Sequence, residues 1–235
     1  MSNVTYNRGN LTITLEGLDT VEKALGDLRQ KTPAAAKVAI NATAREARKL
    51  MIARAKARYA VNTAGQRHLK DLVQRKKATN RSLLAELRIE SFRNDLGYFQ
   101  TSPPVPTHFT GKRWREGPEV WRGKVLKAEE MKPLPGTTGR AKAFLAEFAS
   151  GHVGMVQRVI GSSSSHTVTK SGAPRWRNRQ GKVEKLVTLG SPSAAAMHST
   201  IWPYVEPEVE AYLLDRLDSQ VEKLIARAKA RRDKR

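Results

Sequence analysis

The strongest constraint on the fold is a row of small and apolar residues, Ala36, Ile40, Ala44, Ala47, Met51, Ala55 and Tyr59, recurring at steps of three and four. That spacing puts every member on one side of an α-helix, and the row is far too long for a strand. Thr32 is placed to cap it and Pro33 suits its first turn. The remaining faces carry Arg45, Arg48, Lys49, Arg54, Lys56 and Arg58. The alanines leave room for a partner backbone to come close. A second row, Val205, Val209, Leu213, Leu217, Val221, Leu224 and Ala228, predicts a second long helix near the end of the chain. Pro203 and Pro207 sit near its start, and a separate short helix is expected over 191–197. The basic run 227–235 suits a helix C-terminus electrostatically.

Between these helices the period changes from 3.6 to 2. Leu11, Ile13 and Leu15 alternate with Thr12, Thr14 and Glu16, which reads as a strand with one buried face, broken at Gly17. A helix capped by Asp19 or Thr20 and carrying Val21, Leu25 and Leu28 follows. Residues 63–80 are polar and ambiguous, with room for a short helix near 66–72. The stretch 83–89 alternates cleanly, and 94–99 reads as a turn or a single helical turn. Strand-like runs are expected at 120–128, 143–149 and 153–159, the last two joined as a hairpin through Ser150-Gly151-His152. Pro103, Pro104, Pro106 and Pro118 mark 101–119 as a loop. Residues 160–182, with four consecutive serines and then Lys170, Arg175, Arg177, Arg179 and Lys182, read as a long basic loop, mobile until a partner orders it. The order predicts one α+β domain over residues 1–235, an antiparallel sheet packed against long N- and C-terminal helices, with basic loop insertions at 101–119 and 160–182.

Charge sets the class of partner. Forty-three Lys and Arg against 22 Asp and Glu give a net +21, which favours contact with nucleic acid, an acidic protein surface or a membrane face. No apolar run is long enough for a transmembrane helix, and residues 1–10 lack the apolar region of a secretory signal. The absence of cysteine excludes a disulfide framework and thiolate metal sites, and fits folding in a reducing cytoplasm.

Chemistry-bearing patterns are sparse. His68, His108, His152, His166 and His198 form no HExxH or HxH arrangement, so they read as surface or hairpin histidines and no metal is expected. No G-x-S-x-G elbow is present, and Gly190-Ser191-Pro192-Ser193 reads as a turn into a helix. Gly136-Thr137-Thr138-Gly139-Arg140-Ala141-Lys142 lacks the Walker spacing. Glu86, Glu90, Asp95, Glu147 and Glu184 are scattered acids that no spacing gathers into a Mg²⁺ centre. No catalytic or cofactor site is expected. Cations beside indole rings are the more informative feature: Trp114 with Arg115, and Trp176 between Arg175 and Arg177. These five residues are the candidate interface. Either they anchor loops on a neighbouring subunit, or they clamp phosphates and stack bases.

A set of ordered motifs resembles a known family. The opening Leu11-Thr12-Ile13-Thr14-Leu15-Glu16-Gly17-Leu18-Asp19, followed by Val21, Ala24 and Leu25, resembles the start of phage neck and tail-completion proteins. Ala39-Ile40-Asn41-Ala42-Thr43-Ala44-Arg45-Glu46-Ala47-Arg48, ended by Tyr59-Ala60-Val61, is similar to a helix of prophage minor tail protein Z. Lys76-Lys77-Ala78-Thr79, Ala143-Phe144, Ser150-Gly151-His152-Val153-Gly154, Gln157-Arg158, and Leu189-Gly190-Ser191-Pro192-Ser193 with Met197 follow in the family's order. The Leu189–Ser193 turn has one residue interposed, and the loops 101–119 and 160–182 are longer and more basic than the family's. The resemblance spans residues 11–232. It implies a structural virion protein that completes the tail and joins it to the head or neck. It further implies a homo-oligomer, a hexameric ring, contacting other tail and neck proteins and the packaged DNA, with no membrane partner, assembled in the host cytoplasm. The family brings no catalytic residues. The alternative from another class is a free nucleic-acid-binding protein using its basic surface.

Overall fold

The chain opens with two strands, β1 (Ser2–Asn7) and β2 (Asn10–Leu15), paired antiparallel about Gly9, whose φ of 89° suits a residue without a side chain. The computed structural model describes residues 2–7, 9–15, 31–70, 72–89, 94–106, 109–110, 113–114, 118–148, 150–168 and 174–233. The helix expected around Val21, Leu25 and Leu28 lies outside them. Then come helix α1 (Thr32–Arg58), a short helix α2 (Thr63–His68), β3 (Leu72–Lys76) and β4 (Leu84–Ile89). A 3-10 turn, Leu96–Tyr98, precedes β5 (Gln100–Ser102), β6 (Phe109–Thr110), β7 (Arg113–Trp114), β8 (Arg122–Lys124) and β9 (Lys132–Pro133). The strands β10 (Phe144–Glu147), β11 (Val153–Arg158) and β12 (Leu186–Thr188) lead to the closing helix α3 (Ala194–Arg232).

The expected architecture, one antiparallel sheet against long N- and C-terminal helices, is corrected. The described strands fall into four separate antiparallel sheets, ordered β1-β2-β4-β3, β10-β11-β12, β5-β8-β9 and β6-β7. The chain begins with strands, so the 27-residue α1 is not an N-terminal helix. Alternation tells which face of a strand is buried and says nothing about its partner. Several strands are only two or three residues long and extend no ladder beyond their own hairpin.

The chain divides into two units. One comprises 1–55, 69–92 and 193–235; the other 56–68 and 93–192. In the first, Val4, Ile13 and Ala85 form one cross-strand row and Tyr6, Leu11 and Leu87 the next. Val4, Leu11, Ile13, Ala85 and Leu87 are buried, so one face of this sheet is core. β1 was not anticipated; its signal is the short alternation of Val4 and Tyr6 among polar residues. Ala36, Ile40, Ala44, Ala47, Met51 and Ala55 of α1 are all buried, as the row requires. Asn41, on the flank of that row, donates to the Ala78 carbonyl at 3.0 Å and accepts from the Ala78 amide at 3.1 Å. Two motifs of the resemblance, 39–48 and 76–79, are therefore bonded to each other.

The closing helix also differs from expectation. Residues 194–197, the last part of the short helix expected over 191–197, run on with the later row into one 39-residue helix with Pro203 and Pro207 inside it. Ser193 caps it, accepting from the Ala196 amide. Each proline removes one ladder hydrogen bond. Buried Ile201, Trp202, Val205 and Val209 hold the backbone in register through that stretch, with Trp202 stacked on Tyr6 at 5.8 Å. Leu213 is fully buried, but Leu217, Val221 and Ala228 are only half-buried.

In the second unit, β10 and β11 form the expected hairpin, with Gly151 at φ 79° in its turn. The 120–128 run supplies only the three residues of β8, beside buried Trp121. Within 101–119, expected as loop, lie the end of β5 and the β6–β7 hairpin.

Candidate interaction site

Trp176 follows a bridge between Val168 and Pro174 and is 39% exposed. Beneath it lies Arg158, at the end of β11. The guanidinium sits 4.3 Å from the Trp176 ring centroid and 5.0 Å from that of Phe144 on β10. Arg158 therefore bridges the two rings, each a favourable cation–π contact. Burial pushes its pKa below the usual arginine range, and the Glu184 carboxylate pulls it back. Arginine stays charged under such a shift. Buried Glu184 accepts from the Gly161 amide and from Asn178 Nδ2, both at 3.2 Å.

A polar framework holds the segment around the ring. The Arg175 amide donates to the Thr167 carbonyl, and Arg175 Nε donates to the Val168 carbonyl at 3.1 Å. Arg177 Nη1 donates to the Gly181 carbonyl at 2.8 Å. Asn178 Oδ1 accepts from the amides of Gln180 and Lys182, closing a tight turn through Gly181 at φ 72°. Counting apolar residues in 160–182 overlooked these ties, which are made by side-chain amides, arginines and one buried carboxylate. Each of the two exposed arginines commits part of its guanidinium to a carbonyl and keeps other N–H donors for a ligand. The surface so formed is a half-exposed indole flanked by two cations.

Trp114 stands opposite Phe109 in the β6–β7 hairpin, and Arg115 lies outside the described residues.

A second cluster has no counterpart in the sequence pattern, where His152 reads as a hairpin histidine and Asp95 as a scattered acid. Asp95 Oδ1 accepts from the Gly97 amide at 2.5 Å, and Oδ2 bonds His152 Nε2. The imidazole of His152 stacks on Phe148 and tilts against Tyr98, and Tyr98 in turn stacks on His68 at 4.9 Å. The backbone crowds this carboxylate. A Cβ on Gly97 would stand 2.4 Å from the Val153 carbonyl oxygen, and one on Gly154 would stand 2.9 Å from Asp95 Oδ2. The available signal was Asp95-x-Gly97, an aspartate able to bond its own turn. The pair braces the β10–β11 hairpin against the Leu96–Tyr98 turn. Among the described residues no group of three or more His, Asp or Glu is placed to hold a metal ion, and no helix is long and apolar enough to cross a membrane. Comparison with protein-family models, with curated proteins and with solved structures finds no match in any of the three.

Proposed function

We propose that the chain is a structural virion protein of a bacteriophage tail, completing the tail end and joining it to the head or neck as one subunit of a hexameric ring, and that it is not an enzyme. The observation that carries this reading is the order of the motifs along residues 11–232, which are similar to those of minor tail protein Z. The bond between Asn41 and Ala78 adds support, because it gives two of those motifs a shared structural role. The half-exposed Trp176 between Arg175 and Arg177 offers the kind of aromatic and arginine anchor that dominates protein interfaces. Mass spectrometry of purified particles is the test: the protein is expected as a stoichiometric component. Normal abundance in infected cells with absence from virions would overturn the reading.

A second reading, nucleic-acid binding, is favoured by the same arginines and by the +21 charge. It requires duplex affinity that falls steeply with salt. A flat salt response would remove it.

A further inference from the structure

The outer side of α3 does not match the rest of this basic protein. Tyr204, Leu214 and Ile225 are 63%, 54% and 38% exposed. They are ten and eleven residues apart, which at about 100° per residue places all three within an arc of about 80°, on one side of the helix. Buried Val205, Val209 and Leu213 occupy the opposite side. Between Glu206 and Glu222 the chain carries six carboxylates and one cation, Arg216. Glu208 is answered within the chain by Arg54 at 2.6 Å. Asp215, Asp218 and Glu222 are exposed and share the outer side with the apolar row.

These three acids repel one another at spacings of three and four, which weakens a helix. No position three or four residues from any of them holds a cation. In a chain with 43 cations, this stretch is left without local compensation. Elsewhere in the same unit, the outer side of α1 has the opposite character. Val38 is 47% exposed, and Arg45 and Lys49 follow it at seven and eleven residues on the same side, both exposed. Lys49 makes an exposed contact with Glu46 at 3.1 Å, worth little.

We propose that the outer side of α3 is a docking surface for a second copy of this chain. Asp215, Asp218 and Glu222 face Arg45 and Lys49 of the neighbour, and the Tyr204, Leu214, Ile225 row meets Val38 and its surroundings. Because the two strips are different surfaces, the contact is heterologous and repeats from subunit to subunit until a ring closes. Charge complementarity selects the second copy as occupant: the acidic strip needs a basic, partly apolar helix face, and α1 supplies one. The inference rests on the ring reading, but it can be tested without virions.

The experiment is sedimentation of the full chain at low and high salt, with two variants. One is Asp215→Lys with Asp218→Lys and Glu222→Lys; the other is Arg45→Glu with Lys49→Glu. Each variant alone is expected to raise the self-dissociation constant about tenfold or more. Mixing the two variants restores association, since each then offers the face that the other lost. Cross-linking of mixed light and heavy chains with a carboxylate-to-amine reagent should join Lys49 to the acidic strip between copies. Unchanged association in either variant, loss without recovery on mixing, inter-copy cross-links only elsewhere, or a wild-type chain monomeric at every concentration each overturns the proposal. Absence from virions would overturn the ring reading while leaving this self-association intact, so the two failures are distinguishable.

Discussion

The guanidinium of Arg158 lies 4.3 Å from the centre of the Trp176 ring, so the tryptophan proposed as the anchor for a neighbour is already held on one face by its own chain. Pre-positioning of this kind lowers the ordering cost of a contact. Trp176→Ala is expected to abolish incorporation into particles, while Arg175→Ala with Arg177→Ala leaves it largely intact. The reverse pattern, measured by quantitative mass spectrometry of particles, would assign the surface to DNA.

The same contact makes a prediction for the free subunit. The amides of Arg175, Gly181 and Lys182 are bonded, so hydrogen exchange should find them slower than open-chain amides. Exchange at the open-chain rate at all three would mean that the framework forms only on assembly.

The Asp95–His152 pair should show in stability. Removing His152 takes away one partner of a largely buried carboxylate, so His152→Ala is expected to cost about 1–3 kcal/mol in denaturant melts. Gly154→Ala should cost at least as much, because its Cβ would press on the Phe148 ring and the Asp95 carboxylate. Wild-type midpoints in both variants would mean that the brace carries no load.

His198 supplies a pH dependence. It is fully buried on α3, and among the described residues neither ring nitrogen meets a partner within hydrogen-bond limits, the Leu69 backbone lying near the ring without meeting them. Burial pushes its pKa from 6.5 to about 4, and the Leu69 backbone offsets this only in part. Above pH 6.5 the ring is neutral in both folded and unfolded chains and adds no pH dependence. As the pH falls from 6.5 towards 4, only the unfolded chain takes up the proton, so stability drops, by about 3 kcal/mol at most. Below about 4 the loss levels off. Urea midpoints from pH 7 to 4 test this: His198→Leu should flatten that part of the profile, and an unchanged slope would assign the acid sensitivity to other groups.

The two long rows should be intolerant of charge. Ile40 and Leu213 have no exposed surface, so Ile40→Asp or Leu213→Asp should cost about 4 kcal/mol or more by burying an unpaired carboxylate. Val221, only half-buried, should tolerate the same change far better. Equal thermal melting of all three variants would show that burial along the helices is misassigned.

Much of the local order was legible. The α1 row, the alternation ending at Ile89, the β10–β11 hairpin and the single turn near Leu96 follow from spacing and turn residues. The candidate site was only half legible. Trp176 and its arginines stand together in sequence, but Arg158, Phe144 and Glu184 reach them from other segments. Asp95 and His152 are 57 residues apart, and nothing near either one names the other.

By itself, the sequence determined which residues turn inward. Ala36 to Ala55 must share one helix side, and Leu11 with Ile13 one strand face, because 3.6- and 2-residue periods are consequences of backbone geometry acting within a few residues. Only the tertiary structure decided that the described strands close into four small sheets rather than one, and that Pro203 and Pro207 are carried through a continuous helix by buried Trp202 and Val205. Those outcomes depend on contacts between distant segments. The energy of such a contact is a property of both partners and of the register between them, and no single stretch of sequence contains both.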